Sequence, residues 1–484
     1  MVGYHFVLAT LMRYLLAAKT KKLADFRCPS CKGRLVKSLP DEIMTCRKCG
    51  ETFHTCFSVP ILVSNTAVVN RRELPSSDFA RQVAAVRSAT SPATLDALRR
   101  AFALEFNFSH PVMQSESGQF LDRLRSSGGT IDEPYPTAKS DAPSQPYVNV
   151  IDKINLQAEP LCPPLPIATG TLSAFNLRMF NAGEATLSSK AETQYRLACK
   201  ISPIDGDIAD EGERTNLLID LPPGRGITQP VRFRTPNVPG RYRLGVYALI
   251  EDIVWLDEIC ALEIDVVDEA DLQEEFAWNL TDISRDYGAD HSYALDLTRD
   301  WMGPPGWRKP RVLEIGGNMD PMVNELGIKA YNLDVDPYGL MAGSIFAGPD
   351  HPVTNIVGDG MNLPFPDGFF DAIMMFATFH HFPDPVALLR HLKTKLAANG
   401  QIFLMCEPIG HAFAESGYDG YVRELEHGAY EQAFMPWEYE AMIRDAGLVV
   451  AHNVMDVGSA KIALRHPPDN RLSARVKRWL TGRV

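Results

Sequence analysis

Val312-Leu-Glu314-Ile-Gly316-Gly317-Asn318 is an apolar strand that runs into a glycine turn, and its reading sets the fold of the C-terminal half of the chain. A glycine at the end of a buried strand lets the backbone approach a ligand closely. The next apolar strand, Tyr331-Asn-Leu-Asp334, ends in an acid twenty residues after Glu314, placed to accept hydrogen bonds from the hydroxyls of a ribose. The third strand, Asn355-Ile-Val357, leads into Gly358-Asp359-Gly-Met361, where a carboxylate suits an adenine amino group and Met361 suits the ring face. Asp371–Met375 and Gln401–Met405 read as two more strands. Pro385–Leu396 between them reads as an amphipathic helix closed by Asn399-Gly400. This alternation over residues 275–464 predicts an α/β Rossmann-like domain with a mostly parallel sheet.

Upstream the hydrophobic period changes to two. Phe175, Leu177 and Met179 alternate with Asn176 and Arg178, and Tyr195, Leu197, Cys199 and Ile201 alternate with Arg196 and Lys200. Val231 and Phe233, then Tyr242 to Ala248, then Leu262, Ile264 and Val266 continue the pattern between Asn, Gly and Pro turns. Residues 148–268 are therefore expected to form a central antiparallel β-sandwich. The stretch from Asn181-Ala-Gly183 to Pro239-Gly-Arg-Tyr242 resembles the immunoglobulin-like carbohydrate-binding domains attached to polysaccharide exporters, although a spacer or docking domain fits the pattern equally well. Residues 76–125 read as a helical segment, 126–147 as a Ser/Gly/Pro/Asp-rich linker and 465–484 as a basic tail.

Of nine cysteines, four form Cys28-x2-Cys31-x14-Cys46-x2-Cys49. Each C-x-x-C turn aims two thiolates at one point, and two turns complete a tetrahedron suited to Zn²⁺. A four-thiolate site leaves no position for water, so this zinc is expected to be structural. A redox pair or buried free thiols are the alternatives. Residues 21–65 are assigned as a zinc ribbon. The other cysteines are scattered, which fits a reducing compartment.

The chain has 484 residues, 45% of them hydrophobic and 22% charged, the composition of a globular protein of several domains. The formal net charge of −12 is uneven: residues 1–60 carry +6, residues 465–484 carry +5 and the body carries −23. So acidic a body argues against a general nucleic-acid binder. No apolar run is long enough to cross a bilayer. The first apolar stretch precedes its basic residues, the reverse of a secretory signal, so a cytoplasmic location is expected. Oligomeric state is not legible.

Residues 312–407 resemble the class I S-adenosylmethionine-dependent methyltransferases, especially the branch that includes quinone-biosynthesis enzymes. The resemblance is carried by Val312-Leu-Glu-Ile-Gly316, Leu333-Asp334-Val-Asp336-Pro337, Gly358-Asp359-Gly-Met-Asn-Leu-Pro-Phe-Pro366, Phe370-Asp371, His380-His381-Phe-Pro-Asp384 and Leu396-Ala-Ala-Asn-Gly400. It implies S-adenosyl-L-methionine as cofactor. Glu314 and Gly316 would then line the methionine moiety, Asp334 would hold the ribose, Asp359 and Met361 would meet the adenine, and Phe376 would border the sulfonium. One departure stands out: Asn318 and Asp320 replace the later glycines of the family loop.

The ribbon, from Leu23-Ala-Asp-Phe-Arg-Cys28 through Cys46-Arg-Lys-Cys49-Gly50 to Val59-Pro-Ile-Leu62, resembles a small zinc-ribbon family whose members activate methyltransferases.

For a hydroxyl acceptor the protein must supply alignment and a base. His380 and His381, after the fourth strand, have the right ordinary pKa for that role; the alternative is a pair that holds loops by hydrogen bonds. Glu407, His427 and Tyr430 are candidate acceptor contacts. The sequence therefore predicts a methyltransferase for a small-molecule or glycan substrate, most plausibly at a hydroxyl. The competing reading is a non-catalytic binding or assembly protein whose methyltransferase domain is vestigial.

Overall fold

The computed structural model describes residues 25–38, 43–53, 55–56, 59–63, 151–162, 165–188, 195–206, 210–250, 253–271, 287–303, 310–335, 339–340, 343–344, 351–410, 432–456 and 459–468. The expected helical segment 76–125, the linker 126–147, His427, Tyr430 and the tail beyond residue 468 lie outside them. No helix among the described residues is long and apolar enough to cross a membrane.

The C-terminal domain is built on a nine-stranded sheet. Its strands, in spatial order, are Val449–Asp456, Ser459–Arg465, Leu396–Pro408, Phe370–Phe376, Val312–Ile315, Ala330–Asp334, Thr354–Gly358, Val59–Leu62 and Thr55–Cys56. The strands from Leu396–Pro408 to Val59–Leu62 run parallel, and Ser459–Arg465 and Val449–Asp456 close one side antiparallel. Central strands buried on both faces explain the unbroken apolar runs read in the sequence. Val312, Leu313, Glu314 and Ile315 are all buried.

Two of the nine strands come from the ribbon. Val357 pairs with Ile61 and Gly358 with Leu62 in parallel register, so the segment read as the end of a separate ribbon caps the edge of the C-terminal sheet. Covering an edge satisfies its open backbone groups. The ribbon's Phe26, Leu35, Met44, Phe53 and Leu62 share one apolar core with Leu313, Ile315, Leu333, Phe365 and Phe370. The Phe26 ring lies 5.5 Å from Phe365 and 6.1 Å from Tyr331, whose hydroxyl donates to Asp25 at 2.7 Å.

The helix Pro385–Lys395 is capped by Asp384, which accepts from the Ala387 amide at 2.9 Å. It stops at Lys395, and the chain enters the strand Leu396–Pro408 directly. Asn399-Gly400 therefore lies within a strand and does not end the helix. Glycine is needed at 400 because a Cβ there would sit 2.9 Å from the Phe370 carbonyl and 3.0 Å from that of Asp371.

Residues 156–267 form two sheets over one apolar core. One is five-stranded, in the order Asp210–Asn216, Tyr195–Pro203, Gly240–Ile250, Val254–Val267 and Ile167–Ala168; the other is three-stranded, in the order Gly226–Arg234, Leu172–Asn181 and Leu156–Pro160. Leu177 and Met179 point into that core, while Asn176 and Arg178 point the other way, onto the C-terminal domain. The Asn176 amide group donates to both oxygens of buried Glu438 at 3.0 Å, and its backbone N–H donates to one of them at 3.3 Å. The Thr228 amide donates to the Pro383 carbonyl at 2.6 Å.

Burial pushes the Glu438 carboxyl up to about 7 against the pull of these donors. Asn176→Ala would strip a buried acid of side-chain donors, and a loss of about 1–3 kcal/mol is expected. Urea unfolding monitored by fluorescence measures it; an unchanged midpoint would show that the contact adds nothing.

Candidate active site

The central strand Val312–Ile315 has its two neighbours reached in opposite directions, which opens a crevice at the carboxyl ends of the strands. Asp334 and Phe376 end their strands, Glu314 is one residue short of the end of its own, and Gly316, Asp359 and Met361 lie in the turns that follow theirs. Gly316 adopts φ 83° and donates its N–H to the Leu333 carbonyl at 2.8 Å. A Cβ at Gly316 would collide with the Thr378 side chain, so the first and fourth strand ends meet at van der Waals distance.

Glu314 is buried, and its two oxygens accept from the backbone N–H groups of Met322 at 3.0 Å and Val323 at 2.7 Å. It closes the loop upon itself. Burial, with Asp320 and Asp334 nearby, pushes its carboxyl up to about 8 despite those donors. Asn318 takes a positive φ, 42°, a region that glycine enters freely. Asparagine tolerates that region better than most side chains. The Asn318 N–H donates to Asp334 at 3.0 Å, and its carbonyl accepts from the Asn332 side chain at 2.8 Å. Asp320 accepts from the Asn324 amide at 2.6 Å and is held on the short helical turn Met322–Asn324. The two departures from the glycine pattern are thus accommodated in an ordered loop.

Asp359 caps its own turn, accepting from the Met361 N–H at 2.8 Å. Burial raises its carboxyl above the usual carboxylate range, while Arg225 and Lys32 draw it back down. These cations come from the other two modules. Lys32 of the ribbon also donates to the Asn362 side chain, which itself donates to the Pro29 carbonyl at 3.0 Å. The turn after the third strand is therefore a joint between the ribbon and the sheet.

At the fourth strand, Phe376 is buried and Ala377 turns left-handed at φ 45°, donating to the Met405 carbonyl at 2.8 Å. Sparsely populated backbone of this kind persists where its surroundings determine it. Thr378, Phe379 and His380 then form a tight turn wrapped on Glu407. The carboxylate accepts their backbone N–H groups at 3.0, 2.9 and 3.2 Å and lies 2.8 Å from His380 Nδ1. Glu407 is fully buried. With both oxygens engaged in this turn, it anchors the turn. An ionised carboxylate can only accept, so against it Nδ1 is the donor of this pair. His381 is exposed, its ring 4.1 Å from that of His380. The role of Glu407 was missed because a bulge at Met405–Cys406, with Cys406 at φ 57°, turns the following acid inward.

In the ribbon the sulfur atoms of Cys28, Cys31, Cys46 and Cys49 all lie within 4.8 Å of one another, with Cys28–Cys49 at 3.7 Å and Cys31–Cys46 at 3.4 Å. Four sulfurs held 2.3 Å from a tetrahedral zinc lie about 3.8 Å apart, so the thiols fit that ion. Lys32 and Gly50, each following the second cysteine of its pair, have φ 58° and 78°, which folds both turns back on the cluster. Gly33 is packed too tightly for a side chain: a Cβ would lie 2.9 Å from Cys46 Sγ.

Residues 314–404 match the family model described as a methyltransferase domain. A stretch of 151 residues is 32% identical to 27-O-demethylrifamycin SV methyltransferase of Amycolatopsis mediterranei, covering 28% of this chain and 53% of that protein. Another is 25% identical to a ubiquinone biosynthesis O-methyltransferase of Stutzerimonas stutzeri, covering 29% of this chain and 65% of that protein. The chain thus spans between half and two thirds of the length of these two relatives. Among solved structures, a putative methyltransferase from Bacillus halodurans matches at 16% identity and TM-score 0.31, over 37% of this chain and all of that one. A complex of the Haloferax volcanii Trm112 methyltransferase activator with a putative methyltransferase matches at 18% identity and TM-score 0.32, over 37% of this chain and 89% of that one. The parallel sheet of the C-terminal domain is Rossmann-like, and its sequence is similar to S-adenosylmethionine-dependent methyltransferases.

Proposed function

We propose that the chain is an S-adenosylmethionine-dependent methyltransferase acting on a small molecule or glycan intermediate at a hydroxyl, with a structural zinc in its ribbon. One observation carries the reading. The loop 316–320, Asp334 and the Asp359–Met361 turn lie in order at three adjacent strand ends beside the crevice, and the loop keeps a glycine-like turn at Asn318.

In this reading Glu314 and Gly316 shape the wall around the methionine moiety. Asp334 accepts from the ribose hydroxyls, and Asp359 and Met361 hold the adenine. The cofactor supplies an electrophilic methyl on sulfur, and the protein supplies alignment. His380, oriented by Glu407, takes the hydroxyl proton at Nε2. Phe376 borders the sulfonium, and His427 and Tyr430 remain candidate acceptor contacts.

Calorimetry of the full chain with S-adenosylmethionine tests the proposal, and absence of binding would refute it. Asp334→Ala is expected to weaken that binding by about 1.5–3 kcal/mol, the range for hydrogen bonds to a charged group. Full-strength binding by this variant would remove the ribose assignment while leaving the cofactor itself in place.

A further inference from the structure

We infer that the β-sandwich is a positioning element of the active site: its facing residues Arg178 and Thr228, together with Asn176, clamp the two segments between which the His380 turn is held. The inference rests on the methyltransferase reading and adds to it that the base is aimed by a second module, with Arg178 as a positioning residue.

The clamp begins at a sheet edge. Gly226–Arg234 is an outer strand of the three-stranded sheet, paired with Leu172–Asn181 on its other side. Every second N–H of such a strand points away from the sheet and needs an acceptor elsewhere. Arg232, Pro230 and Thr228 lie on that outward side. Arg232 donates its N–H to Thr215 Oγ1 at 2.9 Å, Pro230 has none to give, and Thr228 donates to the Pro383 carbonyl at 2.6 Å. The sandwich edge is thus closed by the segment that follows His380-His381-Phe382.

Arg178 is the cross-strand partner of Thr228. Its guanidinium stands 3.7 Å from Asp384 Oδ2, and a Cβ at Gly226 would lie 3.3 Å from that same oxygen. The other carboxylate oxygen of Asp384 caps the helix Pro385–Lys395. One pair of facing residues therefore fixes Pro383 and Asp384 together, just beyond the turn.

The same strand fixes the opposite flank. Asn176 precedes Arg178 by two residues, so it shares that face, and it donates to both oxygens of Glu438. Glu438 in turn accepts the Met435 N–H at 2.9 Å, fastening the chain where it enters the helix Pro436–Asp445. Gln432, just ahead of that point, donates to the carbonyls of Phe382 at 3.1 Å and His380 at 3.4 Å. A half-exposed ion pair such as Arg178–Asp384 adds little stability. What these contacts decide together is where the imidazole stands, and a reacting group displaced by about 1 Å loses on the order of 10²-fold in rate.

The test uses the full chain with ¹⁵N in its histidine rings, at about pH 8, above the ordinary imidazole pKa. The His380 signals are identified by their loss in His380→Ala. The wild type is expected to show two separate ring-nitrogen signals for His380, one protonated and one bare, because Glu407 holds Nδ1 as donor. Thr228→Pro deletes the sandwich's donor at an edge position of the kind Pro230 already occupies, and Arg178→Met removes the cation. Each is expected to draw the two signals together as the ring gains its second tautomer. Each is also expected to speed exchange of the Thr378, Phe379 and His380 amides about tenfold or more, with buried Val246 of the sandwich unchanged. Arg178→Lys, which keeps the charge, is expected to restore the wild-type pattern. Unchanged signals and exchange in folded Thr228→Pro and Arg178→Met proteins overturn the inference. So does exchange that rises equally at Val246, which would make the contacts general braces. Calorimetry with S-adenosylmethionine on the same samples keeps the two readings apart: a wild type that binds no cofactor refutes the methyltransferase reading, whereas the histidine signals decide the clamp in either case.

Discussion

Replacing Cys46 by Ser, or stripping zinc with a chelator, is expected to unfold the ribbon and loosen the far edge of the C-terminal sheet in the same transition. Structural zinc in small ribbons contributes on the order of 10–16 kcal/mol of apparent binding free energy, and that energy is folding energy because no site exists in the unfolded chain. Here the ribbon is continuous with its neighbour. Phe26, Leu35, Met44 and Phe53 lie in one core with Leu313, Leu333 and Phe365. Val59–Leu62 pairs with Thr354–Gly358. Losing the metal therefore exposes apolar surface on both sides and unpairs an edge strand. Because Lys32 and Pro29 hold Asn362, the Asp359 turn should loosen as well. Amide exchange is the direct readout: protection at Val357 and Gly358 should collapse in Cys46→Ser. If that variant keeps both its melting temperature and this protection, then the cysteine cluster is not what holds the ribbon. Elemental analysis of protein purified without added metal should give one zinc per chain, and much less would count against the site.

Features written in local sequence were the legible ones. The strand ends carrying Glu314, Asp334 and Asp359 followed from apolar runs bounded by acids, and the alternation from Phe175 to Met179 followed from one apolar face. The cysteine spacing likewise foretold the clustered sulfurs. Features set by partners distant in the chain were hidden. Nothing in Val59-Pro-Ile-Leu62 announces a parallel pairing with a strand almost three hundred residues on. Asn176 is a polar residue in an alternating strand, yet it is buried against Glu438 of another module. Asn318 read as a departure from the glycine loop because identity was visible and backbone conformation was not; at φ 42° it makes the turn anyway. The strands Asp210–Asn216, Leu156–Pro160 and Ile167–Ala168 escaped notice because the first is almost wholly polar and the others are short and only partly buried.

His380→Ala is expected to reduce turnover by about 10²–10⁴-fold, the range for losing a positioned general base, while leaving cofactor affinity nearly unchanged. The reasoning starts from the hydrogen bonds around Glu407. That carboxylate already holds the backbone of Thr378, Phe379 and His380, so the turn keeps three of its fastenings when the imidazole is removed. The ring is therefore an addition to a turn that stands without it, and its loss should alter chemistry more than stability. Glu407→Ala differs, because it leaves three buried N–H groups without their acceptor at about 1–3 kcal/mol each, and that protein should melt well below the wild type. His381→Ala, at an exposed ring, should show the smallest effect. Comparing melting curves with turnover separates the possibilities. If His380→Ala loses stability and turnover in step, the ring is a brace for the turn. If turnover survives, the acceptor is a carbon or sulfur nucleophile that needs no base at this position. Only a loss of turnover in a protein with wild-type melting and wild-type cofactor binding assigns the proton to Nε2, since Nδ1 is already committed to Glu407 at 2.8 Å.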